Sequence, residues 1–288
     1  MWYLWKKKKT QIAVTGANGF IGTNLRRSFN HKKISIISLT RSKQRSLKYE
    51  TNIQYSNFDQ KILVSKLNNC NTLVHLIGQG EQNVDVTYED VYIEITKKII
   101  RLCKNANIRK IIYISGFGVT KSTTFGYFIS KFKAEQLIIR SGLDYTILRA
   151  SYIIGNNDPL TKNLNKQIKT GLVIIPGSGL YRLQPISVND VAKIILVSIN
   201  DKQFLNKIID LVGPQTITFE NFVKKFVSKR AKIKKITLEK AYHIALNQPK
   251  NAVYGLDDLN ILVGDFTGNH KKLEQMCRFN LTLLQKML

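Results

Sequence analysis

Ile12-Ala13-Val14-Thr15-Gly16-Ala17-Asn18-Gly19-Phe20-Ile21-Gly22 runs from a short apolar strand through three spaced glycines into a helix start. After such a strand the chain must reverse sharply, let its backbone approach an anionic ligand, and pack the new helix tightly on the sheet. Gly16, Gly19 and Gly22 answer these three demands in order. Free N–H groups at the helix start, aided by the helix dipole, would then face a phosphate, here the pyrophosphate of a dinucleotide. The candidate cradle is Thr15, Gly16, Asn18, Gly19, Phe20, Ile21 and Gly22.

Outward from this turn, strand-length apolar runs alternate with helical spacing. The runs are Gln11 to Thr15, Ile34 to Leu39, Thr72 to Leu76, Lys110 to Ser115 and Tyr145 to Arg149. Between them, Val91, Ile95, Ile99 and Leu102 recur at helical spacing, as do Phe128, Phe132, Leu137 and Ile138 approximately. This order predicts an α/β protein: a Rossmann-type, doubly wound parallel sheet covered by helices. Past Ala150 the pattern loosens, punctuated by Gly155, Pro159, Gly171, Pro176, Gly177 and Gly179. The expected organisation is a dinucleotide-binding domain over 1–150 and a smaller substrate lobe over 151–288 that partly returns to the sheet. Within the lobe we expect a helix from near Asn189, a strand over Ile208 to Val212 and a helix over Phe219 to Val227.

Composition narrows the function classes. The 288 residues suffice to bury a core without staples. Cys70, Cys103 and Cys277 are odd in number and far apart, which argues against a disulfide framework or a CxxC metal site. No zinc spacing joins His31, His75, His243 and His270, so no metal is expected. No GxSxG elbow supports hydrolase chemistry. No apolar run approaches the roughly 20 residues of a membrane span, and Met1 to Trp5 is too short before Lys6 for a signal core. The expectation is a soluble, cytoplasmic protein.

The formal charge of +26 is spread over nearly every segment, which reads as a solvated surface rather than a specific nucleic-acid site. Two runs stand out: Lys6 to Lys9, and Lys224, Lys225, Lys229, Arg230, Lys232, Lys234, Lys235. These leave open a peripheral contact with an anionic membrane or a protein complex. The sequence fixes no oligomeric state.

The turn, with Thr15 before its first glycine, resembles the TGxxGxxG signature of the short-chain dehydrogenase/reductase superfamily. The likeness is to its extended and atypical branches, which hold NAD-dependent epimerases and dehydratases of nucleotide sugars and the dehydrogenase-like accessory subunit of respiratory complex I. It extends to His75-Leu76-Ile77-Gly78, Tyr113-Ile114-Ser115-Gly116, Asp144-Tyr145-Thr146-Ile147-Leu148-Arg149 and Gln184-Pro185-Ile186-Ser187-Val188-Asn189-Asp190-Val191-Ala192. The resemblance implies that Gly78 lies against the cofactor and Asp59 at the adenine edge. Asp59 is equally suited to capping a nearby helix.

In such folds a carboxylate after the second strand holds the adenosine ribose, whereas an arginine there accommodates a 2′-phosphate. Here the second strand ends Leu39-Thr40-Arg41-Ser42-Lys43, with no carboxylate, so Arg41 favours NADP(H) over NAD(H). A merely solvated Arg41 is the competing reading.

Tyr127 and Lys131 stand four apart on a helical stretch and share a face, giving the YxxxK pattern. An ammonium beside a phenol stabilises its phenolate, so Tyr127 would move a proton with Lys131 supporting it, and the resemblance implies that Lys131 also holds the nicotinamide ribose. The resemblance implies that Ser115 orients the substrate oxygen. Tyrosine and lysine at this spacing also occur by chance, and two departures from the family pattern, Ala150 for proline and Gly116 after Ser115, mark a divergent member. Two functions follow from the resemblance: an NAD(P)(H)-dependent oxidoreductase or epimerase/dehydratase acting on a small-molecule carbonyl, alcohol or nucleotide sugar, or a non-catalytic NADP(H)-binding accessory subunit.

Overall fold

The computed structural model describes residues 11–80, 82 and 85–288. The basic run Lys6 to Lys9 and the stretch Met1 to Trp5 lie outside the described residues. Seven parallel strands form the main sheet: β1 (Gln11–Thr15), β2 (Ile36–Thr40), β3 (Glu50–Gln54), β4 (Cys70–His75), β5 (Lys110–Gly116), β6 (Asp144–Ala150) and, from the carboxy-terminal part, β11 (Lys207–Leu211). Their order is β11-β6-β5-β4-β1-β2-β3. The direction of winding reverses between β1 and β4, and a crevice for a ligand opens beyond the strand ends at such a reversal.

Alternation along each strand feeds two cores. Ile12 and Val14 join Ile112 and Ile114 on the side of α1 (Phe20–His31), α6 (Val188–Asn200) and α10 (His270–Cys277). Ala13, Leu73, Ile111 and Tyr113 pack on the other side, under α2 (Lys61–Leu67), α3 (Ile95–Asn105) and α4 (Gly126–Ile139). Burial of both faces is why the central strands read as continuous apolar runs. A π-helical turn over Glu89–Glu94 leads into α3 and carries the buried Val91, Tyr92 and Ile93.

β3 was not legible in the sequence, because Glu-Thr-Asn-Ile-Gln carries neither alternation nor an apolar run. Tertiary contacts make it a strand. The Glu50 carboxylate accepts from Arg26 Nη2 at 2.8 Å and the Leu47 N–H at 3.0 Å, and also from Arg26 Nε and Ser38 Oγ, anchoring this edge to α1 and β2. Burial alone raises the Glu50 pKa, but these bonds and the Arg26 charge outweigh it and hold the carboxyl below its ordinary value.

The remaining elements build the lobe: β7 (Ile153–Ile154), α5 (Pro159–Lys169), β8 (Leu172–Pro176), β9 (Arg182–Leu183), β10 (Ile186–Ser187), β12 (Ile217–Thr218), α7 (Phe219–Val227), β13 (Lys232–Ile236), α8 (Leu238–Asn247) and α9 (Leu256–Leu262). Short polar side chains start three of its helices. Asp158 caps α5 ahead of Pro159, Thr218 caps α7 and Thr237 caps α8. The lobe has its own core, with Leu164, Val173, Ile175, Phe219, Phe222 and Leu259 fully buried. The Gln184–Ala192 segment joins lobe to sheet. Gln184 donates to the Gly213 carbonyl and accepts from the Gly268 N–H, while the fully buried Asp190 accepts from Lys193 and the Thr282 N–H. No described helix is long and apolar enough to cross a membrane.

Candidate functional site

The three glycines of the turn hold different positions. Gly16 has φ +67°, and a Cβ there would fall 2.6 Å from the Leu76 backbone. A Cβ on Gly22 would fall 2.3 Å from the Gly16 carbonyl oxygen. Both are therefore required by the fold itself. Gly19 is different, because its Cβ would meet only the Gly16 carbonyl oxygen, at 3.2 Å. Gly19 is the N-cap of α1 and no side chain caps that helix, so its first N–H groups are left for an external acceptor. Asn18 donates to Ser42 Oγ at 3.4 Å across the ends of β1 and β2. An open helix start and one glycine lacking only external room fit a dinucleotide pyrophosphate.

Arg41 follows β2 directly and its side chain is exposed, close enough to Tyr55 to favour that phenol's ionised form against the effect of burial. Asp59 is exposed and forms an ion pair with Arg101 at 3.3 Å. It does not cap a helix, which corrects one of its two sequence readings: α2 begins at Lys61 with Gln60 as its N-cap. Gly78 lies after β4, where a Cβ would come within 3.3 Å of the Tyr92 hydroxyl.

At the carboxy-terminal strand ends, Thr15, His75, Tyr113 and Ser115 follow the same alternation and face α4. Thr15 Oγ1 and His75 Nδ1 are 2.8 Å apart, and the His75 ring stacks on Tyr113 with centroids 5.5 Å apart. Burial first, and then the nearby Lys131 charge, push the His75 pKa down to about 3, so the ring is neutral. His75 Nε2, Tyr113 Oη and Ser115 Oγ are buried without hydrogen-bond partners among the described residues. Three such atoms at one strand-end cluster mark a place where polar ligand atoms would be received.

α4 carries Tyr127 and Lys131 to this cluster. Lys131 is buried and its ammonium donates to the Ile114 carbonyl at 3.0 Å, one residue before Ser115. The same ammonium lies 4.4 Å from the Tyr92 ring centroid, 5.2 Å from Tyr113 and 5.5 Å from Tyr127. Burial pushes the Lys131 pKa down to about 7, against the opposing influence of Glu135. Glu135 is itself fully buried and accepts two bonds from Arg149, at 2.6 and 3.0 Å, which tie α4 to β6.

Tyr127 shares the face with Lys131, as its spacing predicts, yet its ionisation runs opposite to expectation. Burial, reinforced by the Tyr92, Tyr113, Tyr88 and Tyr152 phenols, pushes its pKa well up, so Tyr127 holds its proton. Its ring packs edge-on to Tyr88, Tyr92 and Phe128. Gly116 allows this, since a Cβ there would sit 3.3 Å from both the Tyr127 and Phe128 rings. One departure from the family pattern thus has a packing reason.

Tyr92 is the residue that sequence reasoning missed. Its hydroxyl accepts from the Gln79 N–H at 2.8 Å and donates to the Gln79 carbonyl, and its ring packs edge-on to Tyr127. It thereby holds the segment after β4, the candidate acid and the candidate ammonium together. In sequence it lies among Val91, Ile93 and Ile95, where an aromatic residue reads as core.

A family model described as NAD(P)H-binding matches residues 16–202, more than half of the chain, and the protein belongs to that family. Over 163 residues the chain is 25% identical to the mitochondrial NADH dehydrogenase [ubiquinone] 1 alpha subcomplex subunit 9 of Arabidopsis thaliana, covering 56% of this chain and 40% of the relative. It spans half or less of the length of the curated relatives first matched. A nucleoside-diphosphate-sugar epimerase from Staphylococcus aureus superposes with a TM-score of 0.76 at 19% identity, over 96% of this chain and 98% of that one. UDP-glucose 4-epimerase from Thermotoga maritima gives 0.73 at 14% identity, over 96% of each chain. These likenesses establish the Rossmann-type fold of the epimerase and short-chain dehydrogenase group.

Proposed function

We propose that the protein is an NADP(H)-dependent oxidoreductase of the short-chain dehydrogenase type that reduces a small carbonyl substrate. The observation that carries this reading is the meeting of Ser115, Tyr127 and Lys131 at one end of the sheet, with the Ser115 hydroxyl buried and unpartnered among the described residues. When bound, the reduced nicotinamide supplies a hydride to the carbonyl carbon. Ser115 donates to the substrate oxygen and fixes its position. Tyr127, kept protonated by burial, gives its proton to the same oxygen as charge develops there. Lys131 stabilises the tyrosinate left behind and holds the nicotinamide ribose, and Arg41 receives the 2′-phosphate.

A second reading has its own observation. The Tyr127 ring is enclosed by Tyr88, Tyr92 and Phe128, with centroids 5.7, 5.8 and 5.1 Å away, which suits a protein that holds the nucleotide without turnover, as an accessory subunit would. Tyr127→Phe discriminates between the two. Under the enzyme reading, turnover in a carbonyl-reduction screen with NADPH falls by about a hundredfold or more while nucleotide affinity is kept, as expected for a positioned acid. Full turnover in the variant overturns the catalytic assignment. A parent protein that binds NADPH and reduces nothing in the screen favours the accessory role.

A further inference from the structure

The groove between α5 and the carboxy-terminal end of α7 shares no residue with the site described above. Its cavity of about 570 Å³ is walled by Lys162, Lys166 and Lys169 and floored by Ile154, Phe226 and Met287. That volume lies within the range of small-ligand pockets. The lysines stand at i, i+4 and i+7, so they form one row spanning about 10 Å along the helix. They take part in none of the ion pairs among the described residues. Arg230 adds a further cation beside the floor, 5.1 Å from the Phe226 ring centroid.

Ordinary surface chemistry does not account for this row. The α5 dipole favours Lys166 and Lys169, which are in its last turn, but disfavours Lys162 near its start. Like charges at i, i+4 also repel. The one carboxylate on the wall, Asp158, is fully buried and committed to the Gly155 N–H and to the Thr161 N–H and hydroxyl, at 3.2 Å and 2.8 Å for the two N–H groups. It therefore offers the groove no counter-ion.

We propose that this groove binds an elongated phosphoester carrying an apolar group, at a site separate from the nucleotide cradle. Several ammonium groups over such a span call for more than one negative charge, and lysine binds phosphate as a point charge. The Ile154, Phe226 and Met287 floor takes the apolar part.

Calorimetry on the full chain tests this with geranyl diphosphate, inorganic pyrophosphate and phosphatidylcholine vesicles containing phosphatidic acid. Geranyl diphosphate is expected to bind one per chain, about tenfold more tightly than pyrophosphate, with saturating NADPH leaving it in place. The triple variant Lys162→Gln, Lys166→Gln, Lys169→Gln should lose about tenfold or more for both anions, whereas Lys225→Gln, Lys229→Gln, Lys232→Gln should lose little. Met287→Ser should weaken geranyl diphosphate and spare pyrophosphate. Row-dependent vesicle binding in addition identifies a lipid headgroup as the source, and its absence identifies a free ligand. Equal losses in the two triple variants, displacement by NADPH, or no binding of geranyl diphosphate overturns the proposal.

Discussion

The Lys131 ammonium faces the Tyr92 ring at 4.4 Å while donating to the Ile114 carbonyl at 3.0 Å, which places a cation inside a cage of aromatic rings with a backbone oxygen as its hydrogen-bond acceptor. The pairing links the candidate ammonium to a residue outside the YxxxK pattern. It also explains how a charge survives at this depth, since ring faces and the Glu135 carboxylate offset part of the desolvation.

Lys131 should set a pH dependence. Its folded pKa, about 7, lies below the ordinary 10.5, so between these values the unfolded chain binds more protons and stability rises with pH. Lys131→Met should remove that rise in denaturant titrations across the window. NADPH affinity should fall above pH 7 as the ammonium is lost, with His75 neutral and Tyr127 protonated throughout. An unchanged pH profile in the methionine variant would contradict this role.

The turn glycines should separate binding from folding. Gly19→Val should abolish NADPH binding while leaving the circular dichroism and thermal transition nearly intact, because a Cβ there meets only the Gly16 carbonyl oxygen, at 3.2 Å. Gly22→Val should lower stability strongly, since its Cβ would fall 2.3 Å from that same oxygen. Tight NADPH binding by Gly19→Val would show that the turn faces no phosphate.

Arg41→Ala should weaken NADPH by about tenfold and leave NADH nearly unchanged, the signature of a contact to the 2′-phosphate alone. The effect is moderated by the exposure of the side chain and should shrink with salt. Equal losses for both nucleotides in fluorescence titrations would assign Arg41 to the solvated surface.

Glu50→Gln should destabilise the protein by about 3 kcal/mol, because it leaves Arg26, whose side chain is 10% exposed, facing a neutral group. The folded Glu50 pKa lies below 4.5, so its contribution is present above that pH and is lost as pH falls through the folded value. Urea midpoints at neutral and acidic pH should show the variant's deficit narrowing in acid.

Apolar periodicity and glycine spacing are local, so the parallel sheet, the glycine-rich turn and the strand-end placement of Ser115 were legible from residue order. Gln11–Thr15 and Phe219–Val227 fall on the expected residues, and the other apolar strands shift by only one or two positions. The tertiary structure alone decided β3, whose polar residues become a strand through the Arg26–Glu50 contact 24 positions apart. It also decided the ionisation of the site. Burial, which no motif encodes, keeps Tyr127 protonated and brings Lys131 to about 7, and Tyr92, on the π-helical turn before α3, meets Lys131 only through the fold.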